Sequence, residues 1–227
     1  MKILLPFLVL FMLVSCRPLK TTKHYYEEYV RPTPTIDYED TVSADIPVAF
    51  LDDYYTIDSK IVRLADQMDL VEARTDDAWI RFQKDVNPWV RHVAVLDNDL
   101  LFVSGDDALG FDPELRTALA GLAPGEKRTV LMRGGRAFFV HVASVAAGTL
   151  KTTAAEIDIP SLAADVPAGR TSLLVDGQAT GPLPAAVVET LSKMDTKKYS
   201  GQIKLEGASW QWIRSMAADN LLYLYSN

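Results

Sequence analysis

Residues 93–105 read Val-Ala-Val-Leu-Asp-Asn-Asp-Leu-Leu-Phe-Val-Ser-Gly. Two runs rich in apolar and β-branched residues flank an Asp-Asn-Asp triplet. Such side chains hydrogen-bond their own backbone and turn the chain. The stretch therefore reads as two antiparallel strands, 90–96 and 100–104, joined by a tight turn. It decides the fold because the spacing before it is helical, while strand, helix and hairpin follow it and then recur.

Upstream, Leu51, Tyr54, Tyr55, Asp58, Ile61, Val62, Leu64, Ala65, Met68 and Val71 fall mostly at three- and four-residue intervals. That spacing predicts an amphipathic helix over 47–73. Thr75 caps a second, shorter helix with Trp79, Phe82 and Val86 on one face, and Asn87-Pro88 stops it. Downstream, Asp112-Pro113 starts a helix lined by Leu115, Leu119 and Leu122. Gly134-Gly135 then joins strands 127–133 and 136–145 as a hairpin.

The same order returns. A strand over 172–176 turns at Gly177, a helix covers 184–193, a hairpin turns at Glu206-Gly207, and a last strand spans 221–225. The predicted fold class is α+β: a long N-terminal helix followed by two related modules with antiparallel sheets, 47–155 and a shortened 156–227.

The composition, 48% hydrophobic and 23% charged, is that of a globular chain. Its net charge of −7 provides no footprint for nucleic acid. Lys2 precedes an apolar run over 3–14, shorter than the roughly 20 residues that span a bilayer, so 1–15 reads as a secretory signal. Leu13-Val14-Ser15-Cys16 resembles the lipobox of bacterial lipoproteins. The resemblance implies that Cys16 receives a diacylglycerol, that cleavage precedes it, and that the new amino terminus is acylated. Cys16 is the sole cysteine, which excludes an internal disulfide. Arg17, where lipoproteins kept at the inner membrane often carry Asp, implies the outer membrane, facing the periplasm. Residues 16–46 read as a tether: Arg31-Pro32-Thr33-Pro34 holds it extended, and Tyr25, Tyr26, Tyr29 and Tyr38 are linker aromatics or dock onto the folded body.

The helix with Trp79-Ile-Arg-Phe82, followed by the 93–105 stretch, resembles the start of a Cache module. These are PAS-like extracytoplasmic sensor domains of chemoreceptors and sensor kinases. Residues 155–162, Ala-Glu-Ile-Asp-Ile-Pro-Ser-Leu, resemble the connector entering a second such module. Ser172-Leu-Leu-Val-Asp-Gly177 resembles that module's first strand and turn. The chain carries no kinase, cyclase or methyl-accepting segment, so the resemblance implies a detached sensor on a lipid anchor. Its ligand is a small molecule and its partner a membrane sensor kinase or chemoreceptor. The tyrosine, arginine, tryptophan and aspartate set of the amino-acid-binding subgroup is missing.

Catalytic motifs are absent: no His-Glu-x-x-His, no phosphate-cradling Gly-Lys loop and no Gly-x-Ser-x-Gly. The sequence predicts neither an enzyme, nor a cofactor, nor a metal. His24, His92 and His141 are isolated, and Asp97-Asn98-Asp99 lacks the rest of a calcium loop. Asp106-Asp107 reads as a solvated loop. A small-molecule pocket remains, and its candidate contacts are Trp79, Arg81, Asp97, Arg133 and His141. Trp79 is a stacking surface or core. Arg81 is a carboxylate partner or surface. Trp210 and Trp212 share one face of a strand, as core or as a partner-binding patch. The patch belongs to the alternative reading, a structural or assembly lipoprotein acting by protein–protein contact.

Overall fold

A computed structural model describes residues 46–69, 76–122, 125, 127–145, 149–193, 198–205 and 207–226. All fall in the second of the two units into which the chain divides, Thr41–Asn227. Cys16, the signal, the tether and Thr75 lie outside the described residues.

Helix α1, Val48–Asp69, buries Phe50, Tyr54, Ile57, Ile61, Leu64, Ala65 and Met68 along one stripe. Helix α2, Asp77–Val86, is capped by Asp76, whose Oδ1 accepts from the Trp79 N–H at 2.8 Å. The acid nearer the first turn takes the role expected of Thr75. Ile80 and Gln83 form the buried face of α2, and Phe82 is 50% exposed. The face expected from Trp79, Phe82 and Val86 is thus rotated toward Ile80.

Strands β1, Val90–Leu96, and β2, Phe102–Gly105, form the expected hairpin. Asp97 turns it, accepting from the Asp99 and Leu101 N–H groups at 3.0 and 2.8 Å. Helices α3, Asp107–Gly110, and α4, Pro113–Ala120, come next. Then follow β3, Lys127–Arg133, β4, Arg136–Val145, and β5, Thr149–Ile157. Gly134 and Gly135 both have positive φ, 56° and 75°, as a two-residue hairpin turn of this hand requires. Helix α5, Ile159–Leu162, leads to β6, Thr171–Val175, β7, Gln178–Ala179, and α6, Ala185–Ser192. Strands β8, Ser200–Leu205, β9, Ala208–Arg214, and β10, Leu221–Ser226, complete the unit.

These strands make two antiparallel five-stranded sheets, ordered β2-β1-β5-β4-β3 and β7-β6-β10-β9-β8. Counted within each sheet the order is the same, so the repeat of element order in the sequence is a repeat of topology. The correction concerns β5. Residues 155–157, expected in a connector, end a strand that lies at the centre of the first sheet.

One face of each sheet packs on α1. Val93, Val130, Phe139 and Ala155 of the first sheet and Leu173, Val175, Ile213 and Tyr223 of the second share its core. The opposite faces have separate cores. Leu109, Leu115 and Leu119 of α3 and α4 cover Leu96, Leu131, Phe138 and Val140. Val187 and Leu191 of α6 cover Leu174, Trp212, Leu222 and Leu224.

Polar contacts fix α1 along its length. Asp53 accepts from the Arg170 guanidinium through both oxygens and from Thr171 Oγ1 at 2.8 Å. Asp58 accepts from Ser215 Oγ at 2.5 Å, Tyr223 OH at 3.0 Å and the Met216 N–H at 3.1 Å. Lys60 Nζ donates to the Leu162 carbonyl at 2.8 Å, and Asp69 pairs with Arg128 and His141. Asp53 and Asp58 are buried, so their desolvation must be offset by these partners.

Candidate ligand-binding site

Cavities among the described residues differ in their chemistry. The outer face of the first sheet is closed by its own side chains. Arg136 lies across it with its guanidinium 4.9 Å over the Phe138 ring and donates to both oxygens of Glu156, Nε at 3.1 Å and Nη2 at 2.5 Å. Its Nη1 donates to Asp112, whose other oxygen caps α4 through the Glu114 and Leu115 N–H groups. Burial alone would raise the Asp112 carboxyl; the Leu115 N–H and Arg136 outweigh it and hold the group below the usual carboxylate range. Toward the other end of β4 and β5 lies a groove of about 220 Å³, walled by Leu100, Leu119, Leu122, Val142 and Leu150.

A larger crevice, about 620 Å³, runs from α4 and the β3–β4 turn to the second sheet. Glu114, Leu122, Leu131 and Arg133 line it from one side, Asp176 and Asn220 from the other. The β6–β7 turn, Asp176-Gly177, has φ of 49° and 73°, the same turn hand as Gly134-Gly135 but with a non-glycine first residue. Aspartate tolerates that conformation better than most. The turn presents the Asp176 carboxylate to β3. Its Oδ2 accepts from Arg133 Nη1 at 2.6 Å and from the Met132 N–H at 3.3 Å, and its own N–H donates to the Asn220 carbonyl at 2.8 Å. β3 is the edge strand of its sheet, and Asp176 satisfies an outward amide that would otherwise invite another strand. The Asp219 N–H does the same at the Arg128 carbonyl, at 3.4 Å. A third cavity, about 270 Å³, adjoins through Asp176 and Asn220 and is walled by Leu174, Leu191, Leu222 and Arg214.

The structure disperses most of the residues singled out from the sequence. Trp79 is half-buried against the α1 core and Arg81 is exposed. They lie on different sides of α2, and neither lines a described cavity. Asp97 holds the β1–β2 turn. His141 is buried on the α1 side of the first sheet with Nε2 2.8 Å from Asp69 Oδ1. Arg133 alone of the five lies in the crevice. Glu114, Asp176 and Asn220 were missed; the Asp176-Gly177 pair was visible only as turn chemistry. Asp106 is also no freely solvated acid. It accepts from the Val93 N–H at 2.9 Å and from Lys84, which together outweigh burial and hold it below the usual carboxylate range. Trp212 is buried and Trp210 packs half-buried beside it beneath α6, so this pair is core rather than a surface patch. Among the described residues no cluster of histidine, cysteine or carboxylates can hold a metal ion, and no helix is long and apolar enough to cross a membrane.

No family model matches the sequence, and no curated protein matches it. Solved structures do share the fold. One is an extracellular ligand binding receptor from Desulfohalobium retbaense, with a TM-score of 0.51 and 12% identity over 81% of this chain. This chain spans 41% of that receptor's length. Another is the extracellular domain of the candidate histidine kinase rpHK1S-Z16, with a TM-score of 0.53 and 15% identity, covering 77% of this chain and 87% of that domain. At such identities the likeness is one of fold alone, an α+β architecture with two antiparallel five-stranded sheets.

Proposed function

We propose that the chain is a non-catalytic sensor of the bacterial cell envelope, held at the membrane by lipid on Cys16 and facing the periplasm. It binds a small molecule and passes its bound state to a membrane partner, a sensor kinase or chemoreceptor. The two sheets, with the helices that cover them, are its two sensing units, divided after β5. The observation that carries this reading is the charged crevice at the junction of two sheets of identical strand order, both packed on one helix. A molecule seated there touches both sheets at once, and its binding energy bears on how they sit on α1. The extracellular sensors of like fold support the reading. The Cys16 anchor rests on the lipobox.

Two measurements test it. A thermal-shift screen of the full chain against small metabolites is expected to yield at least one stabilising compound. At 100 times its dissociation constant a ligand adds about 2.7 kcal/mol. A broad library without a hit removes the sensing role. For the anchor, Cys16→Ser is expected to abolish incorporation of labelled palmitate and move the protein from the membrane to the soluble fraction, since lipid chains supply about 0.8 kcal/mol per buried methylene. Unchanged labelling would refute lipidation at this residue.

A further inference from the structure

Resting on the sensor reading above, we infer that the crevice between the sheets is a binding site for a small aliphatic monocarboxylate, which pairs with the free edge of Arg133 beside Asp176. Arg133 uses Nη1 for Asp176 and for the Met132 carbonyl; its Nε and Nη2 have no partner among the described residues, and the side chain is 40% exposed. A guanidinium with one free edge matches a carboxylate in two parallel hydrogen bonds.

The walls select the rest of the ligand. Ala118, Leu122 and Leu131 offer an apolar surface, and about 620 Å³ is within the range of small-molecule pockets. Glu114 lies at the same place with its carboxylate against Gly134 and no hydrogen-bond partner among the described residues. Asp176 adds a second negative charge. A ligand with one carboxylate can pair with Nε and Nη2 while Asp176 keeps Nη1. A dicarboxylate or phosphate brings surplus negative charge beside Glu114 and is rejected. Asp176, with Asp219, is how the second sheet holds the edge of β3, so a carboxylate that shares the Arg133 charge with Asp176 loosens that hold.

Isothermal titration of the full chain in detergent with butyrate, succinate, inorganic phosphate and butylamine tests this. Butyrate alone is expected to bind saturably. Arg133→Met weakens it at least about ten-fold, and Arg133→Lys weakens it less. Asp176→Asn keeps an acceptor for the Met132 N–H but removes the competing charge, and it tightens butyrate binding. A purely structural ion pair does not produce that gain. The assignment fails if butyrate does not bind, if its affinity survives Arg133→Met, or if succinate or phosphate binds as well. If a different compound from the thermal-shift library binds and its affinity survives Arg133→Met, this assignment falls while the sensor reading stands. If nothing in the library binds, both fall.

Discussion

Asp58→Ala is expected to lower the unfolding free energy at neutral pH by about 3–5 kcal/mol, since each buried donor left without an acceptor costs about 1–3 kcal/mol. The substitution leaves Tyr223 OH, Ser215 Oγ and the Met216 N–H without their acceptor. The first two are buried, so water does not replace what is lost. Asp58→Asn keeps one oxygen for Ser215 and Tyr223 but turns an amide toward the Met216 N–H, and it costs less, about 1–2 kcal/mol.

The pH dependence separates the two roles of the carboxyl. Burial pushes Asp58 above the usual carboxylate range, against the pull of its donors. The folded protein thus holds this proton more tightly than the unfolded chain. The resulting stability is complete below the ordinary carboxylate pKa and is lost as pH rises through the raised folded value. The asparagine variant has no such proton, so its deficit relative to wild type shrinks as pH rises from about 4 toward 7. Urea unfolding of the three proteins across that range checks both points. A constant deficit, or an alanine variant within about 1 kcal/mol of wild type, contradicts the network.

Gly105→Ala is expected to cost about 3 kcal/mol or more. Gly105 has φ of 118°, where side-chain-bearing residues are strained. A Cβ there would sit 2.3 Å from the Val93 carbonyl oxygen and 2.9 Å from Ala94 Cα. That carbonyl accepts from the Asp106 N–H at 2.8 Å, while Asp106 accepts from the Val93 N–H. The methyl group therefore collides with the reciprocal pair that seats α3 over β1. Gly135→Ala is the control, since its Cβ would meet nothing within 4 Å although its φ is also positive. It isolates backbone strain, about 1 kcal/mol, from collision. Equal losses at the two positions would show that the Val93 carbonyl yields freely.

Much of this fold was legible in the sequence because its elements are short and well punctuated. Asp97, Asp112-Pro113, Gly134-Gly135 and Asp176-Gly177 all sit where the chain turns or starts a helix. What escaped was β5. Lys151, Thr152, Thr153, Ala154 and Ala155 lack the large apolar side chains that announce a strand, yet they lie between β1 and β4 at the sheet's centre. Small residues suffice there because Phe138 and Phe139 of β4 and Leu96 of β1 fill the volume on either side. The two-residue β7 is too brief to leave a pattern. The site was less legible for a different reason. The crevice exists only where turns from two sheets meet, and Arg133 and Asp176 are 43 positions apart. Asp176 reads locally as a turn residue and Arg133 as the end of a hairpin strand; their pairing is a product of tertiary structure.

The polar contacts on α1 give the helix the character of a notched shaft. Interdigitated apolar side chains resist sliding, and Asp53 with Arg170, Asp58 with Ser215 and Tyr223, and Asp69 with Arg128 and His141 each engage at one setting only. A sheet travelling along such a shaft leaves one setting before it finds another, because intermediate positions strand buried carboxylates. On the proposed sensing role, a displacement of either sheet along α1 is expected to be a switch between discrete settings and not a graded drift.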